Sequence, residues 1–145
     1  MNSSEPTILL AEDDANDVFF LKRALTRAGV QFSLRVVTNG QEALDYLGGA
    51  DKFSNRAEFP LASLVLLDLK MPFVNGFDVL QWIRSQPSLK HIPVVVLTSS
   101  AEDRDRQRAA ELGAQAYFVK PPSREMVMEM IGFLSSAKEN SAVSA

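Results

Sequence analysis

Short apolar runs alternate along this chain with longer stretches in which apolar residues recur every three or four positions. That is the pattern of βα units wrapped around a parallel sheet. The runs predict strands at Thr7–Ala11, Ser33–Val37, Ser63–Leu67, Val94–Leu97 and Ala116–Val119. Three of them are almost wholly apolar, as expected of parallel strands covered by helices on both faces. The periodic stretches predict helices at Asn16–Ala28, Gly40–Leu47, Gly76–Ser85, Glu102–Leu112 and Arg124–Leu134. Gly29, the Gly48-Gly49 pair and Gly113 stand where helix C-terminal caps belong, and Pro87 follows the third helix. The expected class is α/β, a doubly wound parallel sheet.

Two segments depart from a compact five-unit plan. Between Gly48 and Pro60 the chain is polar and longer than an ordinary αβ connection, and a functional loop and a surface insertion are equally compatible with it. Ser135–Ala145 is rich in Ser and Ala without periodicity and is expected to fray. The division that follows is an N-terminal extension at 1–6, one domain at 7–134 and a flexible tail at 135–145, with no second domain and no repeats. In the last predicted helix, Met126, Val127, Met130, Ile131, Phe133 and Leu134 span an arc of roughly 160°, wider than the ~100° needed to cover a sheet. Either part of that arc meets a partner or the helix is an unusually apolar core helix.

Composition narrows the function. A chain of 145 residues buries a core without disulfides, and the absence of cysteine excludes secreted stapling and thiolate zinc sites. The first apolar stretch, Ile8–Ala11, is far too short for a signal peptide or membrane span, so a cytoplasmic protein is expected. With 15 basic against 18 acidic residues, a net charge of −3 and no long basic run, nothing favours nucleic acid.

The chemistry lies where the strands stop. Four runs end on residues able to handle a phosphoryl group: Glu12-Asp13-Asp14, Asp68, Thr98 and Lys120. Parallel strands would bring these to one rim, where open α/β sheets place their ligands. Asp68, at the mouth of the most apolar strand, suits a carboxylate nucleophile for phosphoryl transfer, although a lone Asp in this position is more often a turn or cap residue. Glu12 and Asp13 beside it would repel one another unless a cation sat among them, and Mg²⁺ fits such an oxygen set. Asp13 or Asp14 could instead cap the first helix; Asp14 is assigned to that surface or capping role and Asp13 to the metal. Thr98 and Lys120 supply a hydroxyl and a compact positive charge for phosphoryl oxygens. The only histidine, His91, falls at the opposite end of its strand.

In order and spacing, Leu9-Leu10-Ala11-Glu12-Asp13, Leu66-Leu67-Asp68-Leu69-Lys70-Met71-Pro72, Asn75-Gly76, Val96-Leu97-Thr98-Ser99 and Tyr117-Phe118-Val119-Lys120-Pro121 resemble the response-regulator receiver domains of two-component signalling, from Thr7 to about Leu134. The resemblance implies a flavodoxin-like sheet in the order 2-1-3-4-5. It implies Asp68 as phosphoacceptor; Glu12, Asp13, Asp68 and the backbone carbonyl of Lys70 around Mg²⁺; Lys120 paired with the phosphoryl group; Thr98 and Tyr117 as a switch pair; and a cis Lys120-Pro121 peptide. Asn16-Asp17-Val18, the long loop and the lack of an output domain resemble stand-alone regulators of phytochrome-type kinases.

What the family does then becomes the expectation here. A sensor histidine kinase or phosphotransfer protein supplies the phosphohistidine. The output is protein–protein interaction, with a possible homodimer through the last two helices and fifth strand. Phe19 and Phe20 lie outside the helical arc of Val18, Leu21, Ala24, Leu25 and Ala28, so at least one should be exposed beside the rim, and Phe20 is expected to dock the kinase. Three other readings fit less well. A haloacid-dehalogenase-type hydrolase would want an acid where Lys70 stands, so no enzyme turnover beyond slow self-dephosphorylation is expected. A nucleotide-binding domain would need glycines where Glu12-Asp13-Asp14 stands. A phosphorylation-independent interaction module would not need the full acceptor set.

Overall fold

The computed structural model describes residues 5–143, so residues 1–4 of the N-terminal extension and 144–145 of the tail lie outside it. Five strands and five helices alternate: β1 (Thr7–Ala11), α1 (Ala15–Arg27), β2 (Ser33–Val37), α2 (Gly40–Gly48), β3 (Leu64–Leu67), α3 (Gly76–Ser85), β4 (Val94–Thr98), α4 (Asp103–Glu111), β5 (Ala116–Val119) and α5 (Arg124–Val143). All strands are parallel in the order β2-β1-β3-β4-β5, the flavodoxin-like arrangement.

Alternation along each strand sends its side chains to two cores. Leu9, Ala11, Val65, Leu67 and Val94 pack under α2 and α3 with Tyr46, Leu47, Val79, Leu80 and Ile83. On the other face Ile8, Leu10, Leu64, Leu66, Val95 and Leu97 meet Leu21 and Leu25 of α1 and Val127, Met130 and Leu134 of α5. Each fully buried leucine or isoleucine contributes about 1.5–3 kcal/mol. The three inner strands therefore cannot slip by one residue without turning both layers inside out.

The register aligns Ala11 with Leu67, Leu67 with Val96, and Thr98 with Val119. The residues that follow these strands consequently meet at one level. His91 is exposed before β4, at the other end of the sheet.

One sequence expectation needs revision. The last helix does not stop at Leu134 but runs to Val143. Ser135–Val143 has no glycine or proline to end it, and its Ala, Lys and Glu are good helix formers, so the backbone continues where the apolar period has faded. The wide apolar arc of α5 turns into the core. Val127, Met130 and Leu134 are buried, and Met126, Ile131 and Phe133 pack half-buried on the same cluster.

The long connection between α2 and β3 is an ordered, packed segment at the amino-terminal end of β3, away from the strand-end rim. It opens with a 3₁₀ turn at Asp51–Phe53, and Phe53 and Phe59 close an aromatic cluster with Tyr46, centroids 5.1–6.2 Å apart. The Tyr46 hydroxyl donates to the Pro60 carbonyl at 2.7 Å. Arg56 donates to the carbonyls of Tyr46 (2.8 Å), Leu47 (2.9 Å) and Phe59 (3.2 Å), satisfying groups that the end of α2 leaves open. Arg56→Ala is expected to cost about 1–3 kcal/mol, since these carbonyls lose a charged donor in a part-buried place. Chemical denaturation would show the loss, while phosphate labelling at the distant rim should stay unchanged.

Candidate functional site

At the carboxyl rim the loops after β1, β3 and β5 and the first turn of α1 bring Glu12, Asp68, Lys120 and Asp17 into contact. Asp68 is held by its own amide, which donates to Ala11 O at 3.1 Å, and by Lys70 N, which donates to its Oδ1 at 3.2 Å. Glu12 is turned inward, 3% exposed, and accepts from Asp14 N at 3.1 Å. Lys120 reaches across from the end of β5. Its ammonium donates to Glu12 Oε1 at 2.5 Å, Asp17 Oδ2 at 2.8 Å and Asp68 Oδ2 at 3.0 Å. Asp13 is exposed at the edge, and one carboxylate oxygen from each of Glu12, Asp13 and Asp68 lies within 4.8 Å of the others.

Burial raises the Glu12 carboxyl to about 7, with the neighbouring Asp68 charge adding to the effect and Lys120 and the Asp14 amide opposing it. For Lys120, burial works to lower the ammonium, but its bonds to Asp17, Glu12 and Asp68 outweigh that and raise it above the ordinary lysine value. The site thus carries more negative charge than its one ammonium neutralises. A set of hard oxygen donors in that condition fits a divalent cation of the Mg²⁺, Mn²⁺ or Ca²⁺ type.

Thr98 ends β4 with its side chain fully buried, and Ser100 N lies 3.5 Å from its hydroxyl. The neighbouring strand is tied to it, since Lys120 N donates to Thr98 O at 2.8 Å. Tyr117 is half-buried, and its hydroxyl donates to Ser100 O at 2.9 Å, so both switch candidates contact the same loop. Arg106 of α4 stacks over the Tyr117 ring at 4.7 Å, and Ser100 Oγ donates to Asp105 at 2.7 Å. The Lys120-Pro121 peptide is cis. Asp14 caps α1, accepting from the amides of Asn16 and Asp17 at 2.8 and 3.2 Å.

Phe19 and Phe20 are both exposed on α1, 58% and 62%, with ring centroids 5.3 Å apart. Lys70 lies in the loop after Asp68 with its side chain in solvent.

Two residues matter more than the sequence suggested. Asp17 was visible only as part of Asn16-Asp17-Val18, yet it is a direct partner of Lys120. The available signal was its place in the first turn of a helix that starts at the rim. Gly76 was visible only as part of a motif. A Cβ there would lie 2.4 Å from Asp68 O and 2.7 Å from Leu69 Cα, so α3 can approach the Asp68 loop this closely only with glycine.

A five-stranded parallel α/β domain with an acidic pocket and a lysine at its strand-end rim defines a class, and sequence comparison places the chain in it. Residues 8–132 match the family model of the response regulator receiver domain, and the chain belongs to that family. Within the family it is similar to several response regulators, two of the following three named for phytochromes. The response regulator Rcp1 of Synechocystis sp. is 32% identical over 89% of this chain and 86% of its own length. The Mn²⁺-bound form of Rcp1 superposes with a TM-score of 0.77 at 31% identity, covering 90% of this chain and 92% of that one. The bacteriophytochrome response regulator RtBRR gives 0.79 at 43% identity over 90% of this chain and 78% of its own. The phosphorylated cyanobacterial phytochrome response regulator RcpA gives 0.75 at 30% identity over 97% and 96%. Other relatives are larger proteins. The chain spans 24% of a probable cyclic di-GMP phosphodiesterase of Vibrio cholerae and 52% of the transcriptional regulatory protein GltR of Pseudomonas aeruginosa. Among the described residues no helix is long and apolar enough to cross a membrane.

Proposed function

We propose that this chain is a cytoplasmic response-regulator receiver domain whose Asp68 accepts a phosphoryl group from a phosphohistidine of a sensor kinase or phosphotransfer protein. The observation that carries this reading is the three-carboxylate pocket with Lys120 bonded to Asp68 at its centre. A relative crystallised with Mn²⁺ and another crystallised phosphorylated support it.

In the reaction an Asp68 oxygen attacks phosphorus in line, the P–N bond to the partner's imidazole breaks, and the imidazole leaves with the bonding pair. The backbone bonds to Ala11 O and Lys70 N hold the Asp68 carboxylate at the strand end. Lys120 then pairs with phosphoryl oxygens, and Thr98 offers its hydroxyl to another. Mg²⁺ held by Asp13, Asp68 and the Lys70 carbonyl, with Glu12 behind them, would neutralise charge developing on the transferred group.

The new charge is roughly −2 and carries three acceptor oxygens, enough to draw Thr98 and reorder the loop through Ser100. Tyr117 is bonded to that loop, so the change reaches α4 and β5, which with α5 form the surface proposed to pass the signal to a partner or a second copy. Phe20 docks the kinase. Lys70 stands where a hydrolase would place its acid, so turnover is confined to slow loss of the phosphoryl group.

Asp13 is exposed and makes no structural bond among the described contacts, so Asp13→Asn separates metal binding from folding. The expected result is a rise of about tenfold or more in the Mg²⁺ concentration that half-saturates labelling by acetyl phosphate, with an unchanged melting curve. Unaltered Mg²⁺ dependence would remove Asp13 from the metal set.

A further inference from the structure

Asp17 belongs to neither the proposed metal set nor the phosphoryl contacts, yet it accepts one of the three hydrogen bonds that the Lys120 ammonium donates. Its backbone is fixed in the first turn of α1, where its amide donates to the Asp14 cap. Its side chain is 41% exposed, against 3% for Glu12 and 8% for Asp68, the other two partners of Lys120. Lys120 has no further donor, because an ammonium carries three protons and each is engaged.

A phosphoryl group arriving on Asp68 therefore competes for Lys120 with carboxylates already in place. Glu12 is a poor candidate to be released, since a buried carboxylate would lose its charged partner. Asp17 can be released at small cost, because water reaches it. Glu12 at 2.5 Å and Asp17 at 2.8 Å hold the ammonium from the β1–α1 side, and Asp68 at 3.0 Å holds it from β3.

We propose that Asp17 is a positioning residue that holds Lys120 toward α1 and competes with the phosphoryl group for it, so that it weakens retention of that group on Asp68. The inference rests on the phosphoacceptor reading above. It also gives α1, whose second turn carries Phe19 and Phe20 just beyond Asp17, a direct link to whether Asp68 is occupied.

The test uses beryllofluoride with saturating Mg²⁺ as a mimic of the aspartyl phosphate, followed by fluorine NMR of the bound species. Asp17→Asn keeps the shape of the side chain and removes its charge. Asp14→Asn is the control, since it removes a nearby rim charge that does not touch Lys120 and leaves an equally good helix cap. Asp17→Asn is expected to bind beryllofluoride about three- to fivefold tighter than wild type, within the range that a partly exposed ion pair allows. Asp14→Asn should tighten binding by less than half as much. Nitrogen NMR of the Lys120 ammonium should also show a larger shift on beryllofluoride binding in wild type, where Asp17 must be exchanged for the ligand, than in Asp17→Asn. Equal or weaker binding by Asp17→Asn, equal tightening by both variants, or identical ammonium shifts would overturn the inference while leaving Asp68 as the acceptor. A wild-type protein that binds no beryllofluoride would instead overturn the phosphoacceptor reading itself.

Discussion

Lys120→Ala is expected to slow phosphoryl uptake at Asp68 by about 100-fold or more, the usual cost of losing a preorganised charged donor aimed at developing negative charge. Three carboxylates converge on this ammonium, and among the described ion pairs no other cation reaches Asp68. Without it an anionic phosphodonor would approach Glu12, Asp13, Asp17 and Asp68 with only the metal to offset them. The side chain is 14% exposed, so water replaces it poorly. Lys120→Arg keeps the charge but spreads it over a planar fork that cannot present one compact centre to three converging oxygens, so only partial rescue is expected. Single-time-point labelling with acetyl phosphate at saturating Mg²⁺, read as phosphoprotein formed per minute, measures both variants. A loss of less than about threefold in Lys120→Ala would show that the ammonium is a structural counter-ion and that phosphoryl stabilisation resides elsewhere.

Gly76→Ala is expected to be the most damaging single-methyl change in the chain's acceptor region. The added Cβ would meet Asp68 O at 2.4 Å, Leu69 Cα at 2.7 Å and Asp68 C at 3.1 Å, all backbone atoms that cannot rotate aside. The same residue's amide donates to Leu69 O at 3.0 Å, so the close approach is also a bonded one. Relief requires α3 to withdraw from β3 or the Asp68 loop to shift, and overpacking of this kind costs about 1–3 kcal/mol or somewhat more. A drop in melting temperature of about 3–10 °C follows for a domain of this size. Phosphoryl uptake should fall as well, because the displaced atoms carry the acceptor carboxylate. Gly132→Ala is the matched control. No atom lies within 4 Å of a Cβ there, and alanine is the better helix former, so stability should hold or rise slightly. Equal melting temperatures for the two variants would show that the Asp68 loop has slack that the packing does not suggest.

The frame was legible because parallel strands covered on both faces must be apolar throughout. Val65, Leu66, Leu67, Val94, Val95, Val96 and Leu97 are all buried, and no other element could host such runs. Once the strands are parallel, the residues ending them share a rim, so Glu12, Asp68 and Lys120 could be grouped before any distance was known. Helix geometry made a surface or capping role for Asp14 legible, and the exposure of at least one of Phe19 and Phe20; both rings turn out to be exposed.

What the sequence hid depended on three-dimensional company. Asp17 looks like any acid in a first helical turn until Lys120 arrives from 103 residues away. The packed α2–β3 connection reads as polar because its anchors, Phe53, Arg56 and Phe59, are scattered among solvated residues. The end of α5 was misplaced because apolar periodicity reports packing, whereas the backbone can stay helical after packing stops. The wide apolar arc of α5 was ambiguous because periodicity gives the width of a face and not the depth of the groove that receives it.

The most direct measurement is the intact mass of the protein after incubation with acetyl phosphate and Mg²⁺, followed by peptide mapping. The account predicts one phosphoryl group per chain, located on the peptide containing Asp68, absent from Asp68→Asn and absent when Mg²⁺ is chelated. The same gain in mass in Asp68→Asn, or none in the wild-type protein, would contradict it.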